Sequence, residues 1–188
     1  MFRQNRNNKL CVAHVIETLG PGGAERLLYT NLKHLDPERI ENTVITVYSH
    51  ATTWVEPIKE LGVNVVSLNC RSARDIPKGV NRLRHWLRAN HTDLIHSHLW
   101  AANIISRVAG RIAAVPVLSS VYNPDPEPQA WADGAEVSTI KRHTVKALDR
   151  WTANMGNEKL IAVSDYVRHS ASRDLHISLD SIELDYNP

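Results

Sequence analysis

Apolar residues along this chain follow two alternating rhythms: short unbroken runs, and longer stretches where they recur every three or four positions. Residues 10–16 (LCVAHVI) are apolar except for His14 and read as a central strand, closed by Leu19-Gly20-Pro21-Gly22-Gly23. Ala24, Leu27, Leu28, Leu32 and Leu35 then recur at helical spacing, predicting a helix over 24–35 with Pro37 beyond its end. The β-branched run 43–48 predicts a second strand. A short helix over 54–61 follows, with Pro57 in its first turn and Gly62 as its stop, and then a strand over 63–68. Ile76, Val80, Leu83, Trp86 and Leu87 mark an amphipathic helix over 76–89. Strands over 93–98 and 115–121 flank a helix over 101–114. The sequence NPDPEP at 123–128 excludes regular structure, because its alternate prolines remove donors and fix the backbone. A long helix over 139–154, a strand over 160–163, a helix over 165–173 and a last strand over 182–185 complete the series.

Strands that are apolar throughout need helices on both faces, which means a mostly parallel sheet. The expected fold class is therefore α/β: an open, doubly wound, Rossmann-like sheet. Residues 1–9 are expected to form a flexible leader and 10–188 one domain. No internal repeat or low-complexity tract interrupts it. The chain stops directly after a strand, so either a second domain is missing or the product is naturally short.

Composition changes this picture little. The 188 residues are 43% hydrophobic and 22% charged, which is globular, and a chain of this length buries roughly 70% of its extended surface. A formal net charge of +2 gives no concentrated basic footprint, so no nucleic-acid partner is expected. The two cysteines, Cys11 and Cys70, border apolar runs and read as free thiols in a cytoplasmic setting. The polar N-terminus leads into no signal-peptide or membrane-spanning stretch. Arg82, Arg84, Arg88, His85 and His91 make a basic patch. It is a solvated helix face on one reading and a contact with acidic lipid, at the inner face of a membrane, on the other.

The candidate chemistry gathers at the carboxyl ends of the strands, where open α/β sheets bind ligands. The loop from Gly20 to Gly23 lacks the G-x-G-x-x-G spacing, and no Lys-Ser or Lys-Thr follows it. Nicotinamide and nucleoside-triphosphate binding are thereby disfavoured, and no cofactor is expected. Gly22 and Gly23 either bring bare backbone amides to an anionic or hydroxyl-bearing ligand, or simply make a tight turn. His96 and His98 share one face of the fourth strand. Two imidazoles at this spacing can hold a metal, but the sequence shows no third ligand, so none is expected. His98, nearest the strand's exit, suits orientation of a hydroxyl or stabilisation of a sugar oxygen; a packed strand histidine is the alternative. Trp100 and Asn103, just beyond it, are candidates for an acceptor pocket, with Trp54 and Trp131 as further aromatic candidates. Tyr122 ends the fifth strand at the same edge, beside Ser119, Ser120 and Asn123. Ser164 is a helix N-cap or a hydroxyl offered to a ligand. No serine stands in a G-x-S-x-G setting, which disfavours a hydrolase of that type.

Four segments in order carry a family resemblance: HVIETLGPGGAERLLYTNLKHL at 14–35, DLIHSHLWAANIISRVAGRIAAVPVLSSVYN at 93–123, KLIAVSDYVRHS at 159–170 and SIELDYNP at 181–188. Together they resemble the amino-terminal domain of family 4 glycosyltransferases, retaining enzymes of the two-domain GT-B fold. The resemblance implies that this half chiefly binds the acceptor, a glycan, a lipid-linked sugar or a small molecule. A second domain or subunit would hold most of the nucleotide-sugar donor. By similarity, Gly22 and Gly23 place amides near the donor's phosphates or the acceptor, His98 matches the family's active-site histidine, and Ser164 its serine after the sixth strand. Tyr122 stands where the family often has a histidine. The basic pair and the E-x7-E segment that hold the donor belong to the other domain, so the chain alone is expected to be inactive. The competing reading is a non-catalytic sugar- or nucleotide-binding module that has kept the fold.

Overall fold

The computed structural model describes residues 9–123, 139–156 and 158–186. Among these residues seven strands form one sheet: β1 (Leu10–Ile16), β2 (Ile40–Tyr48), β3 (Asn64–Cys70), β4 (Leu94–His98), β5 (Val117–Val121), β6 (Glu158–Ala162) and β7 (Ile182–Leu184). Six described α-helices alternate with them: α1 (Gly23–His34), α2 (Val55–Glu60), α3 (Ile76–Ala89), α4 (Trp100–Ala113), α5 (Thr139–Ala153) and α6 (Asp165–Leu175). All strand pairs are parallel, in the order β3-β2-β1-β4-β5-β6-β7. This is the open doubly wound sheet that the alternating rhythm predicts. The NPDPEP segment beyond Asn123, and Trp131, lie outside the described residues.

Strand periodicity sorts the core onto two faces. Ala13, Val15, Ile45, Ile95 and Val117 point one way and pack with Leu83 and Leu87 of α3 and Ala102, Ile105 and Ala109 of α4. Ile16 and Val44 point the other way, against Leu28 and Leu32 of α1 and Ile58 of α2. The helix α6 closes the far end of the sheet through Val167, Ala171 and Leu175, against Leu160, Ala162 and Ile182. A side chain at Gly110 would run into Val117 and the Val115 carbonyl, so the close seat of α4 on β5 depends on that glycine.

Several boundaries differ from the sequence reading. The strand β2 begins at Ile40 rather than 43, because Leu10, Cys11 and Val12 of β1 pair with Ile40, Glu41 and Asn42. Side chains at the amino-terminal edge can stay polar while their backbone completes the ladder. The strand β6 likewise begins at Glu158, opposite Val117.

One buried polar group was invisible in the apolar pattern of 101–114. Arg107 is 1% exposed, and its guanidinium donates to the Asp149 carboxylate at 2.5 Å and to Thr152 Oγ1 at 3.3 Å. This ion pair fixes α5 on α4. Part of the basic patch is also locally engaged, since Arg82 donates to the Leu68 and Asn69 carbonyls at the end of β3. Cys11 and Cys70 are both buried, and neither is in a disulfide. Among the described residues no helix is long and apolar enough to cross a membrane.

Candidate functional site

The connections out of β1 and into β4 run in opposite directions, so these two adjacent strands form the topological switch point where open sheets leave a crevice. Each strand delivers its chemistry there within a few residues of its carboxyl end.

From β1 the chain passes through Glu17 and Thr18 into the glycine loop. Glu17 is 5% exposed, and its carboxylate accepts the Ala101 amide hydrogen at 2.7 Å, capping the amino terminus of α4. Burial pushes its carboxyl up to about 6, against the pull of the Ala101 amide and with a small push from Glu25. Glu25, in the first turn of α1, is buried as well and accepts from Thr18 Oγ1 at 3.1 Å. A side chain at Gly22 would collide with the Glu25 carboxylate, whereas Gly23 faces open space. Two carboxylates of the chain therefore serve the helix starts beside the crevice. Sequence reading assigned Glu17 no role; its signal was a lone acid between an apolar strand and a glycine loop.

From β4 come His96 and His98, and from β1, in register with His96, comes His14. The three imidazoles lie on the α1 side of the sheet, with ring centres 4.1 Å (His96–His98), 5.4 Å (His14–His96) and 5.9 Å (His14–His98) apart. Each has one ring nitrogen held by an oxygen. His14 Nε2 meets Asn42 Oδ1 at 3.0 Å, His96 Nε2 meets Ser120 Oγ at 2.8 Å, and His98 Nδ1 meets the Tyr122 hydroxyl at 2.7 Å. Burial, with mutual repulsion at His96 and His98, lowers all three. His14 falls to about 4, His96 to about 3, and His98 well below the usual histidine range. At neutral pH the cluster is uncharged. The sequence identified His96 and His98 by their strand position, but His14 looked like an interruption in an apolar run.

A cavity of about 740 Å³ opens beside this cluster, lined by Gly23, Glu25, Arg26 and Thr30 of α1 together with Leu99 and Tyr122. Tyr122 lines it, and its hydroxyl is hydrogen-bonded to His98, which is only 1% exposed. Leu99 joins β4 to α4 with φ +73° and ψ 164°, a backbone conformation that is essentially reserved for glycine. Strain is thus stored between His98 and Trp100.

The structure puts Gly23 and Tyr122 on one cavity, with His98 bonded to Tyr122 and Gly22 against the Glu25 carboxylate; the other expected residues have supporting contacts elsewhere. Trp100 packs with Ala101 and Ile104, against Tyr48, Ile76 and the α5 residues Val145 and Leu148. Asn103 is buried and donates to the Ser120 carbonyl at 3.3 Å, tying α4 to β5. Ser164 caps α6, accepting from the Val167 amide at 3.3 Å. Trp54 stacks on Tyr29 with ring centres 4.9 Å apart. Among the described residues two groups bring metal-ligating atoms within 4.8 Å of one another: His14 with His96 and His98, and Cys11 with His91 and Asp93. The second group lies at the opposite, amino-terminal edge of the sheet.

Solved structures share this architecture. A glycosyltransferase from Rickettsia africae superposes with a TM-score of 0.67 at 16% identity, over 96% of this chain and 43% of that one. HepE of Anabaena, solved in complex with UDP-glucose, gives 0.70 at 16% identity, over 95% and 44%. A UDP-GlcNAc 2-epimerase from Neisseria meningitidis, bound to UDP-GlcNAc, gives 0.60 at 12%, over 93% and 46%. The chain thus spans less than half the length of these structures, and the likeness is one of fold. No curated protein matches the sequence. The family model described as Glycosyltransferase Family 4 matches residues 21–188, a span that runs from Pro21 of the glycine loop through the histidine strand β4 and every later element. On that match the chain belongs to glycosyltransferase family 4.

Proposed function

We propose that this chain is the acceptor-facing half of a retaining glycosyltransferase. It would work with a donor-holding half to move a sugar from a nucleotide-sugar onto a glycan or lipid-linked acceptor. The observation that carries this reading is the cavity at the switch point, walled by Glu25 and Tyr122 and backed by His98. Buried carboxylates beside the glycine loop suit hydroxyl-rich ligands and repel phosphate, so they favour acceptor over diphosphate on this side. Gly23 is the loop position where a ligand can approach the backbone, while Gly22 makes room for Glu25. Ser164, Trp100 and Asn103 act here by supporting the elements that shape the cavity. Stabilising a departing diphosphate needs cationic groups, which a second half would supply.

Calorimetric titration of the 188-residue chain with UDP- and GDP-sugars, free UDP and GDP, and candidate acceptor glycans tests this. Saturable acceptor binding with weak nucleotide binding supports the reading. Tight nucleotide binding, or sugar transfer by the chain alone at rates ordinary for enzymes, overturns it. One observation favours the second reading, a binding module without chemistry: His98 is buried and bonded to the Tyr122 phenol, and it is Tyr122 that lines the cavity. Under that reading Tyr122→Phe and His98→Ala leave the reaction of a full-length assembly untouched. Under the first, His98→Ala lowers kcat by at least tenfold.

A further inference from the structure

We propose that His14, His96 and His98 form a binding site for one divalent transition-metal ion of the zinc class. The sequence supplied only two of the ligands, since His14 joins them through the pairing of β1 with β4.

The geometry fits such an ion. One nitrogen from each ring lies within 4.8 Å of the others. With a metal–nitrogen bond of about 2.1 Å, ligating rings around a tetrahedral ion sit roughly 5 Å apart, centre to centre. Two of the observed separations, 5.4 and 5.9 Å, lie close to that, and the 4.1 Å pair needs only a small ring rotation. The orientation fits as well. Asn42 Oδ1, Ser120 Oγ and the Tyr122 hydroxyl each hold one nitrogen of a different ring, the arrangement that fixes the tautomer of metal-bound histidines. Of the nitrogens left over, His14 Nδ1 and His98 Nε2 are buried and find no partner among the described residues. A sugar ligand approaching His98 accounts for the second of these nitrogens but not for the first. An ion accounts for both.

The chemistry selects the class of ion. Three neutral imidazoles suit zinc, cobalt, nickel or copper and not magnesium or calcium, which want oxygen donors. Three protein ligands leave a fourth position for water or a small anion. The proposal does not depend on sugar transfer, because a chain that moves no sugar would still bind the ion.

The test is titration of the metal-stripped chain with Co²⁺, followed by displacement with Zn²⁺, at neutral pH. The expected result is saturation at one equivalent with the intense visible bands of four-coordinate cobalt and no thiolate charge-transfer band. His96→Gln and His14→Asn should each weaken binding at least tenfold, while Cys11→Ser leaves it unchanged. Circular dichroism shows whether each variant is folded. If a variant fails to fold, imidazole NMR resonances of the unaltered chain give the answer directly, since Zn²⁺ must shift those of all three histidines. Absence of cobalt bands at stoichiometric metal overturns the proposal. So does binding that disappears in Cys11→Ser but survives in the histidine variants.

Discussion

His98 is 1% exposed, and its Nδ1 meets the hydroxyl of Tyr122, which lines the cavity. Tyr122 therefore connects the buried imidazole to the cavity wall. Burial pushes its phenol up to about 12, so it acts as a neutral donor or acceptor. Tyr122→Phe should weaken acceptor binding by about 1 kcal/mol, the worth of one neutral hydrogen bond, and should also lower stability by about 1–3 kcal/mol, because buried His98 Nδ1 loses the Tyr122 hydroxyl. Titration calorimetry beside a melting curve checks both halves of that statement.

The imidazoles set the acid response of the metal-stripped chain. Their folded values lie below the unfolded 6.5, so the stability they contribute is complete above about 6.5. It is lost as pH falls through about 4 for His14 and about 3 for His96. His14 alone accounts for roughly 3 kcal/mol of that loss. Glu17 works in the opposite sense. Its folded value is raised from 4.5 to about 6, so its contribution is complete below 4.5 and lost as pH rises through about 6. Three histidines outweigh one glutamate, and chemical unfolding should show stability falling from pH 7 towards 4. Glu17→Gln should steepen that fall between pH 6 and 4.5. A flat profile in the unaltered chain would mean that the imidazoles are protonated or exposed in the folded state. His98 was legible from sequence because strand alternation and position suffice to place it. His14 and Glu17 were not, because their significance comes from neighbours 82 and 84 residues away, the β4 partner His96 and the Ala101 amide.

Elements were legible wherever the hydrophobic rhythm was strong, as in β1, α3 and the alternation that fixed the fold class. Rhythm says less about how elements are held to one another. The docking of α5 on α4 rests on a buried Arg107–Asp149 pair, where burial pushes Asp149 up against the pull of the guanidinium. Removing one partner strands the other, so Arg107→Ala should cost about 3–5 kcal/mol, measured by urea unfolding. The double change Arg107→Met with Asp149→Leu should recover most of it. The end of α4 offers a smaller and opposite effect. Ala114 sits at φ +57° as the helix C-cap, where glycine carries no penalty. Ala114→Gly should therefore stabilise the fold by roughly 0.5–1 kcal/mol, visible as a higher melting midpoint.

At the scale of the molecule, a single sheet presents one switch-point crevice, and the longer structures of this fold are more than twice the length of the chain. The crevice was legible because parallel α/β topology dictates it. The strand order that joins β1 to β4 was not, since it is a long-range pairing that no local pattern records. Acceptor and donor recognition are expected to separate between halves. Mixing the 188-residue chain with a purified donor-holding half should restore sugar transfer that neither shows alone, as a coupled nucleotide-release assay would reveal.

Leu99 is a preloaded joint. The chain holds a branched side chain in a glycine's posture, at a standing cost of order 1–3 kcal/mol. The joint keeps its shape because it is clamped on both sides, by the β4 ladder before it and by the seat of α4 after it. Leu99→Gly would unload the spring but would also remove a side chain that packs on the α1–α2 face of the core, so relief of strain and loss of packing oppose one another in a melting curve.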